Sequence, residues 1–309
     1  MIVYETLAGC IVMEYTKKNL LEIKKMSIEQ LSRYYMEERK YKYENNVPLV
    51  NIELRKKIHS LLLLIIKIDR LLVKETLTTI SDDRIETNNP KIYACTHIGG
   101  NDIQRTFEAI KEHAYLFLGD PKGVYKDMSG LLLFLNGVIP FETCNKQDRF
   151  IAKERSIELL KNGGDLLIYP EGAWNITPNL PVMKLFDGTA VMALETGADI
   201  IPVGIEQYGN DFYASIGRNI ITSKLSGINK KELSEIIRDS MATQKWQIYE
   251  SQTLQNRENF NIEIEEFQQE IVDRCDYGFT VQDVLDTMYK DKTIINEDEV
   301  FSFVKRLAK

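Results

Sequence analysis

Six short β-rich runs, "KIYACT", "AYLFLG", "NGVIPF", "DLLIYP", "DIIPVGIEQ" and "FYASIG", alternate with helix-period segments that follow Asp102, Lys126, Asp148, Gly188 and Lys230. This alternation constrains the fold more than any other feature, because strands separated by helices pair into a mostly parallel sheet with the helices laid on its faces. The expected class is α/β: a mixed, mostly parallel sheet flanked by helices. Ahead of "KIYACT" the chain reads as helical, with charged and apolar residues interleaved and few Gly or Pro. After Tyr249 it again becomes polar and helical. The expected organisation is a helical N-terminal arm over 1–88, an α/β core over 89–249, and a helical C-terminal extension over 250–309. At 309 residues and 44% hydrophobic composition the chain can bury a large core.

Charge narrows the partners. A net charge of -7 argues against a surface built to hold nucleic acid, which needs clustered Lys and Arg. The four cysteines, Cys10, Cys95, Cys144 and Cys275, are widely spaced and form no CxxC pair, so neither a zinc knuckle nor a disulfide framework is expected. Reduced thiols and a cytoplasmic location fit this usage. Cys95 is expected to be a buried structural thiol. The opening "MIVYETLAGC" has no basic segment ahead of its apolar residues and is read as lacking a secretory leader. The longest apolar run, "LLLLII" at 61–66, is far below the ~20 residues of a membrane-spanning helix.

Function in α/β proteins gathers where strands run out into loops. "KIYACTHIGGND" places His97 and Asp102 at such a junction, separated by a segment containing Gly99 and Gly100, which permit a tight reversal. A histidine at its ordinary pKa of about 6.5 can take a proton from a hydroxyl, and a carboxylate on its other ring nitrogen fixes the tautomer. A helix-capping Asp beside a satisfied His would account for the same residues. A second junction, "DLLIYPEG", sets Pro170, Glu171 and Gly172 just after a strand. His59 and His113 are read as packing or helix-surface residues.

Taken in order, "HIGGND", "GVIP", "YPEG" and "IIPVGIE" resemble the motifs of the glycerolipid and lysophospholipid acyltransferase family, of the lysophosphatidate acyltransferase type, over residues 91–206. The resemblance implies a glycerolipid acyltransferase-like fold and an O-acyltransferase of lipid metabolism. Its acyl donor would be a thioester, acyl-CoA or acyl carrier protein, and its acceptor a hydroxyl on a lysophospholipid, glycolipid or related lipid. His97 would be the general base and Asp102 its orienter, with no metal and no cofactor beyond the donor. Glu171, Gly172, Arg149 and Lys184 would bind substrate, and backbone N–H groups near Gly99, Gly100 or Gly172 would hold the oxyanion. No nucleophile is required, and "DMSGLL" around Ser129 does not match a GxSxG elbow.

The chain departs from the family pattern. Thr96 precedes the histidine where Asn is usual, Gly99 stands where Ser is usual, and Glu171-Gly172 continues as Ala173-Trp174 instead of Thr-Arg. Thr143 occupies the place nearest the second motif's arginine, with Arg149 six residues later. Those arginines are the family's expected phosphate contacts, so either Arg149 or Lys184 substitutes for them or the acceptor is an uncharged hydroxyl on a sugar, polyketide or aminolipid. Asn51 to Glu75 carries Ile58, Leu61, Leu62, Ile65, Ile68 and Leu72 at helical spacing, with six basic residues against three acidic. Such a helix suits either packing on its own domain or peripheral contact with the anionic inner face of a membrane. A thioester or ester hydrolase using the same pair, and a non-catalytic lipid-binding module, stay open as alternatives.

Overall fold

The computed structural model describes residues 15–49, 51–177, 180–252, 263–274 and 278–289. Cys10, Cys275, the opening stretch and part of the 250–309 extension lie outside the described residues. Helices α1 (Leu20–Lys25), α2 (Ile28–Glu44) and α3 (Ile52–Leu72) lead into β1 (Thr76–Asp82) and β2 (Lys91–Cys95). Then come α4 (Asp102–Ile110), β3 (Tyr115–Gly119), α5 (Met128–Asn136), β4 (Val138–Phe141), α6 (Lys146–Lys161), β5 (Leu166–Ile168) and α7 (Gly188–Thr196). Strands β6 (Asp199–Tyr208) and β7 (Asp211–Ile216) are followed by α8 (Lys230–Ser251), α9 (Ile264–Asp273) and α10 (Val281–Thr287).

One seven-stranded sheet has the order β1-β7-β6-β2-β5-β3-β4. The five strands from β6 to β4 run parallel; β7 pairs antiparallel to β6, and β1 joins β7 in parallel. The mixed, mostly parallel sheet is therefore as expected, but it draws its edge strand from inside the stretch expected to be a helical arm. The burial pattern of β1 shows why: "TLTTISD" has no fully buried residue and lacks the apolar run of an inner strand. An edge strand held by one neighbour need not be apolar.

The inner strands are buried on both faces and alternate between two cores. Along β2, Ile92 and Ala94 point into one cluster with α6, α7 and α8, while Tyr93 and Cys95 point into the other with α4. Leu166 and Ile168 of β5 follow the first pair and Leu167 the second. Cys95 is buried against Thr106, at 3.5 Å between Sγ and Oγ1, and burial pushes its thiol up; it is a core residue, as expected. His59 and His113 are buried on either side of Asn136, with His59 Nδ1 2.7 Å from its side-chain oxygen and His113 Nε2 2.8 Å from its carbonyl. His59 ties α3, and His113 the connection between α4 and β3, to the end of α5.

The arm is fastened to the core by charge. Arg39 of α2 donates two hydrogen bonds to Asp148, at 2.9 and 2.6 Å, and Asp148 is buried. Leu159, fully buried in α6, tests the main core. Leu159→Ala should lower unfolding stability by about 2–5 kcal/mol in a urea titration, whereas Leu61→Ala, at a site 61% exposed, should leave it within about 0.5 kcal/mol.

Candidate functional site

Strands β2 and β5 lie side by side in parallel register, Ala94 opposite Ile168. The chain leaving each strand therefore emerges at the same edge of the sheet, and His97 and the Tyr169–Gly172 turn become neighbours. Gly99 and Gly100 both adopt left-handed backbone, φ +82 and +62. That reversal returns the chain to Asp102, the first residue of α4.

The Asp102 carboxylate is 1% exposed. Its Oδ2 accepts from His97 Nδ1 at 2.7 Å and from the N–H groups of Ile98 and Gly99, both at 2.9 Å. These donors precede the helix, so Asp102 is not acting as its N-cap. A carboxylate with three donors satisfies the cost of burial and holds the imidazole by Nδ1, leaving Nε2 as the nitrogen that can exchange a proton. The His97 ring, 16% exposed, is stacked on Tyr169 at 4.2 Å between centroids and meets Trp174 edge-on at 6.2 Å. Tyr169 is in turn fixed by donating to Thr106 Oγ1 at 3.2 Å.

Glu171 is fully buried. Its Oε1 accepts the His97 N–H at 3.1 Å and its Oε2 the Met183 N–H at 2.8 Å, so its carboxylate is a strut between three loops. It does not line the cavity beside His97, and the expected substrate contact is corrected accordingly. The expected oxyanion donors change as well, because the Gly99 N–H is taken by Asp102 and the Gly172 N–H by the Tyr169 carbonyl at 3.0 Å.

His97 and Asp102 open onto a cavity of about 950 Å³, also lined by Gly172, Phe117, Leu133, Phe141 and Met192. Gly172 has φ +74, and a Cβ there would lie 2.4 Å from the Phe186 ring. Arg149 reaches the rim, its guanidinium donating to the Thr143 carbonyl. Lys184 is exposed, set over the Tyr289 ring at 5.0 Å, and is not among the residues that line the cavity. Sequence reasoning missed the other wall, formed by Phe279, Val284 and Met288 around α10. Those residues bear no chemistry-carrying motif; the only signal was the amphipathic spacing of the tail. Val284 packs with Ala173, Met183 and Val272, and Phe279 meets Trp174 edge-on.

Burial pushes Glu171 up to about 7. A carboxyl raised in the folded state takes up protons before the unfolded chain does, so stability falls as pH rises from about 4.5 to about 7 and levels off above. The shift corresponds to about 3 kcal/mol. Glu171→Gln should abolish that pH dependence in denaturant titrations, and should itself cost about 1–3 kcal/mol by turning an amide donor toward a backbone N–H.

Residues 77–206 match the family model described as Acyltransferase. A 1-acyl-sn-glycerol-3-phosphate acyltransferase from Borreliella burgdorferi is 30% identical over 123 residues, 36% of this chain and 48% of the relative. The match thus spans about half the length of that relative. The crystal structure of the 1-acyl-sn-glycerophosphate (LPA) acyltransferase PlsC from Thermotoga maritima is 15% identical with a TM-score of 0.47, over 77% of this chain and 88% of that one. The stretch carrying His97, Asp102 and the Tyr169–Gly172 turn is therefore acyltransferase-like in sequence, of the lysophosphatidate acyltransferase-like type that its motifs resemble.

Proposed function

We propose that the protein transfers an acyl group from a thioester, on coenzyme A or acyl carrier protein, to a hydroxyl of a lipid acceptor, a lysophospholipid, a glycolipid or a related lipid. The observation that carries this reading is the 2.7 Å contact between His97 Nδ1 and buried Asp102 at the mouth of a largely apolar cavity. His97 Nε2 takes the acceptor's hydroxyl proton as the oxygen attacks the thioester carbon. The Nδ1–H faces Asp102, which stabilises the imidazolium. Collapse of the tetrahedral intermediate breaks the C–S bond, and the proton held by His97 passes to the departing sulfur. An ester bond has formed, a thiol has left, and no covalent enzyme intermediate is needed. Removing the base should lower acceptor-dependent thiol release by about 10²–10⁴-fold in His97→Ala, and Asp102→Asn should fall in the same direction. Full turnover in His97→Ala would sink the proposal.

The outer faces of α3 and α5 support a peripheral membrane setting. No helix among the described residues is long and apolar enough to cross a membrane. The apolar residues of α3 divide: Leu62 is buried, whereas Leu61, Leu64, Ile68, Leu71 and Leu72 are exposed, Leu72 at 76%. Exposed Leu131 and Leu135 lie on α5, whose carbonyls at Phe134 and Leu135 accept from Arg55 of α3. An apolar stripe left over after packing, beside Lys57, Lys67 and Lys74, suits the acyl boundary of an anionic bilayer. Replacing Ile68 and Leu72 together by Glu should weaken sedimentation with anionic phospholipid vesicles at least tenfold, with the unfolding midpoint unchanged.

A further inference from the structure

One wall of the cavity carries a backbone outlier. Asp120, where β3 runs out of the sheet, has left-handed backbone, φ +46, an uncommon conformation for a residue with a side chain. It persists where neighbours over-determine it. Here the Asp120 N–H donates to the Phe141 carbonyl at 2.8 Å, and its Oδ1 and Oδ2 accept from the Thr143 N–H at 3.0 Å and hydroxyl at 2.5 Å. Asp120 and Thr143 both line the cavity that holds His97. Each carboxylate oxygen keeps acceptor capacity after bonding Thr143.

Thr143 is the residue that stands nearest the place of the second motif's arginine. A cation at that place would attract a phosphate; the threonine instead steadies a carboxylate. Among the described lining residues the charged side chains are Asp102, Asp120, Asp187, Asp283 and Asp286 against Arg149 and Lys153. Lys153 is paired with Glu154 at 2.8 Å and Glu195 at 3.7 Å, and Arg149 is turned to the Thr143 carbonyl. Asp187 is itself paired with Lys230 at 3.1 Å and Asp102 is held by His97, so the carboxylate a phosphomonoester would meet at this wall is Asp120, and like charges in a part-buried site repel.

Resting on the acyl-transfer reading, we infer that Asp120 is a specificity-determining residue and that the acceptor is a phosphate-free lipid whose headgroup donates hydrogen bonds to it, from a hydroxyl or an ammonium. The remote negative charge of a lysophosphatidate is rejected by the same carboxylate that receives the donor.

The test is equilibrium binding, without acyl donor, of three short-chain lysolipids to His97→Ala protein: lysophosphatidate, the matching monoacylglycerol, and the acyl ester of an amino alcohol. At least one phosphate-free lipid should bind tenfold or more tightly than lysophosphatidate, and the tighter of the two identifies the donor. Asp120→Asn, which keeps the shape and lets its amide oxygen accept from the Thr143 N–H while its NH2 donates to the Thr143 hydroxyl, should narrow the gap about tenfold. Lysophosphatidate binding as well as the phosphate-free lipids, or a gap unaltered by Asp120→Asn, overturns the inference. Because no chemistry is measured, an absence of acyl transfer in the wild type would count against the proposed reaction and not against this preference.

Discussion

Burying a carboxylate costs free energy that hydrogen bonds must offset, and Asp102 gathers its donors by bending the chain around itself. Its three donors, the His97 ring and the N–H groups of Ile98 and Gly99, can converge only because Gly99 and Gly100 take left-handed backbone. The same turn places the His97 N–H on Glu171 and its carbonyl on the Asn175 N–H at 2.7 Å. The loops after β2 and β5 thus lock each other, and the imidazole is clamped by Asp102 at its edge and Tyr169 at its face. The site's rigidity derives from strands and buried bonds rather than from the cavity's apolar walls.

That arrangement explains the division of labour among the carboxylates. Asp102 holds a ring, Glu171 braces backbone, and Asp120 lines the cavity while held by Thr143. Three acidic residues at the same sheet edge differ in role because their partners differ: a side-chain ring and two amides, two amides alone, or one threonine with acceptor capacity left over.

Much of this was legible in the sequence. The inner strands announced themselves because burial on both faces makes them continuously apolar, and "HIGGND" carried both the couple and the glycines that close it. What escaped notice lacked a local signature. Thr76–Asp82 reads as polar because an edge strand has one partner and no buried face. Glu171 looked like a ligand because a sequence cannot show that both of its oxygens are spent on amides 74 and 12 residues away. Asp120 depends on Thr143, 23 residues on, and the α10 wall depends on packing across the whole chain. These are long-range contacts that residue spacing does not encode.

The central claim is that His97 moves a proton from an acceptor hydroxyl and not from water. It is tested most directly by product stoichiometry, counting thiol, new ester and free carboxylic acid from a labelled acyl thioester in the presence of a lipid alcohol. One ester per thiol released, with little free acid, is the result predicted. Thiol accompanied by equimolar free acid, whatever alcohol is supplied, would contradict acyl transfer and make the His97 and Asp102 pair the centre of a hydrolase.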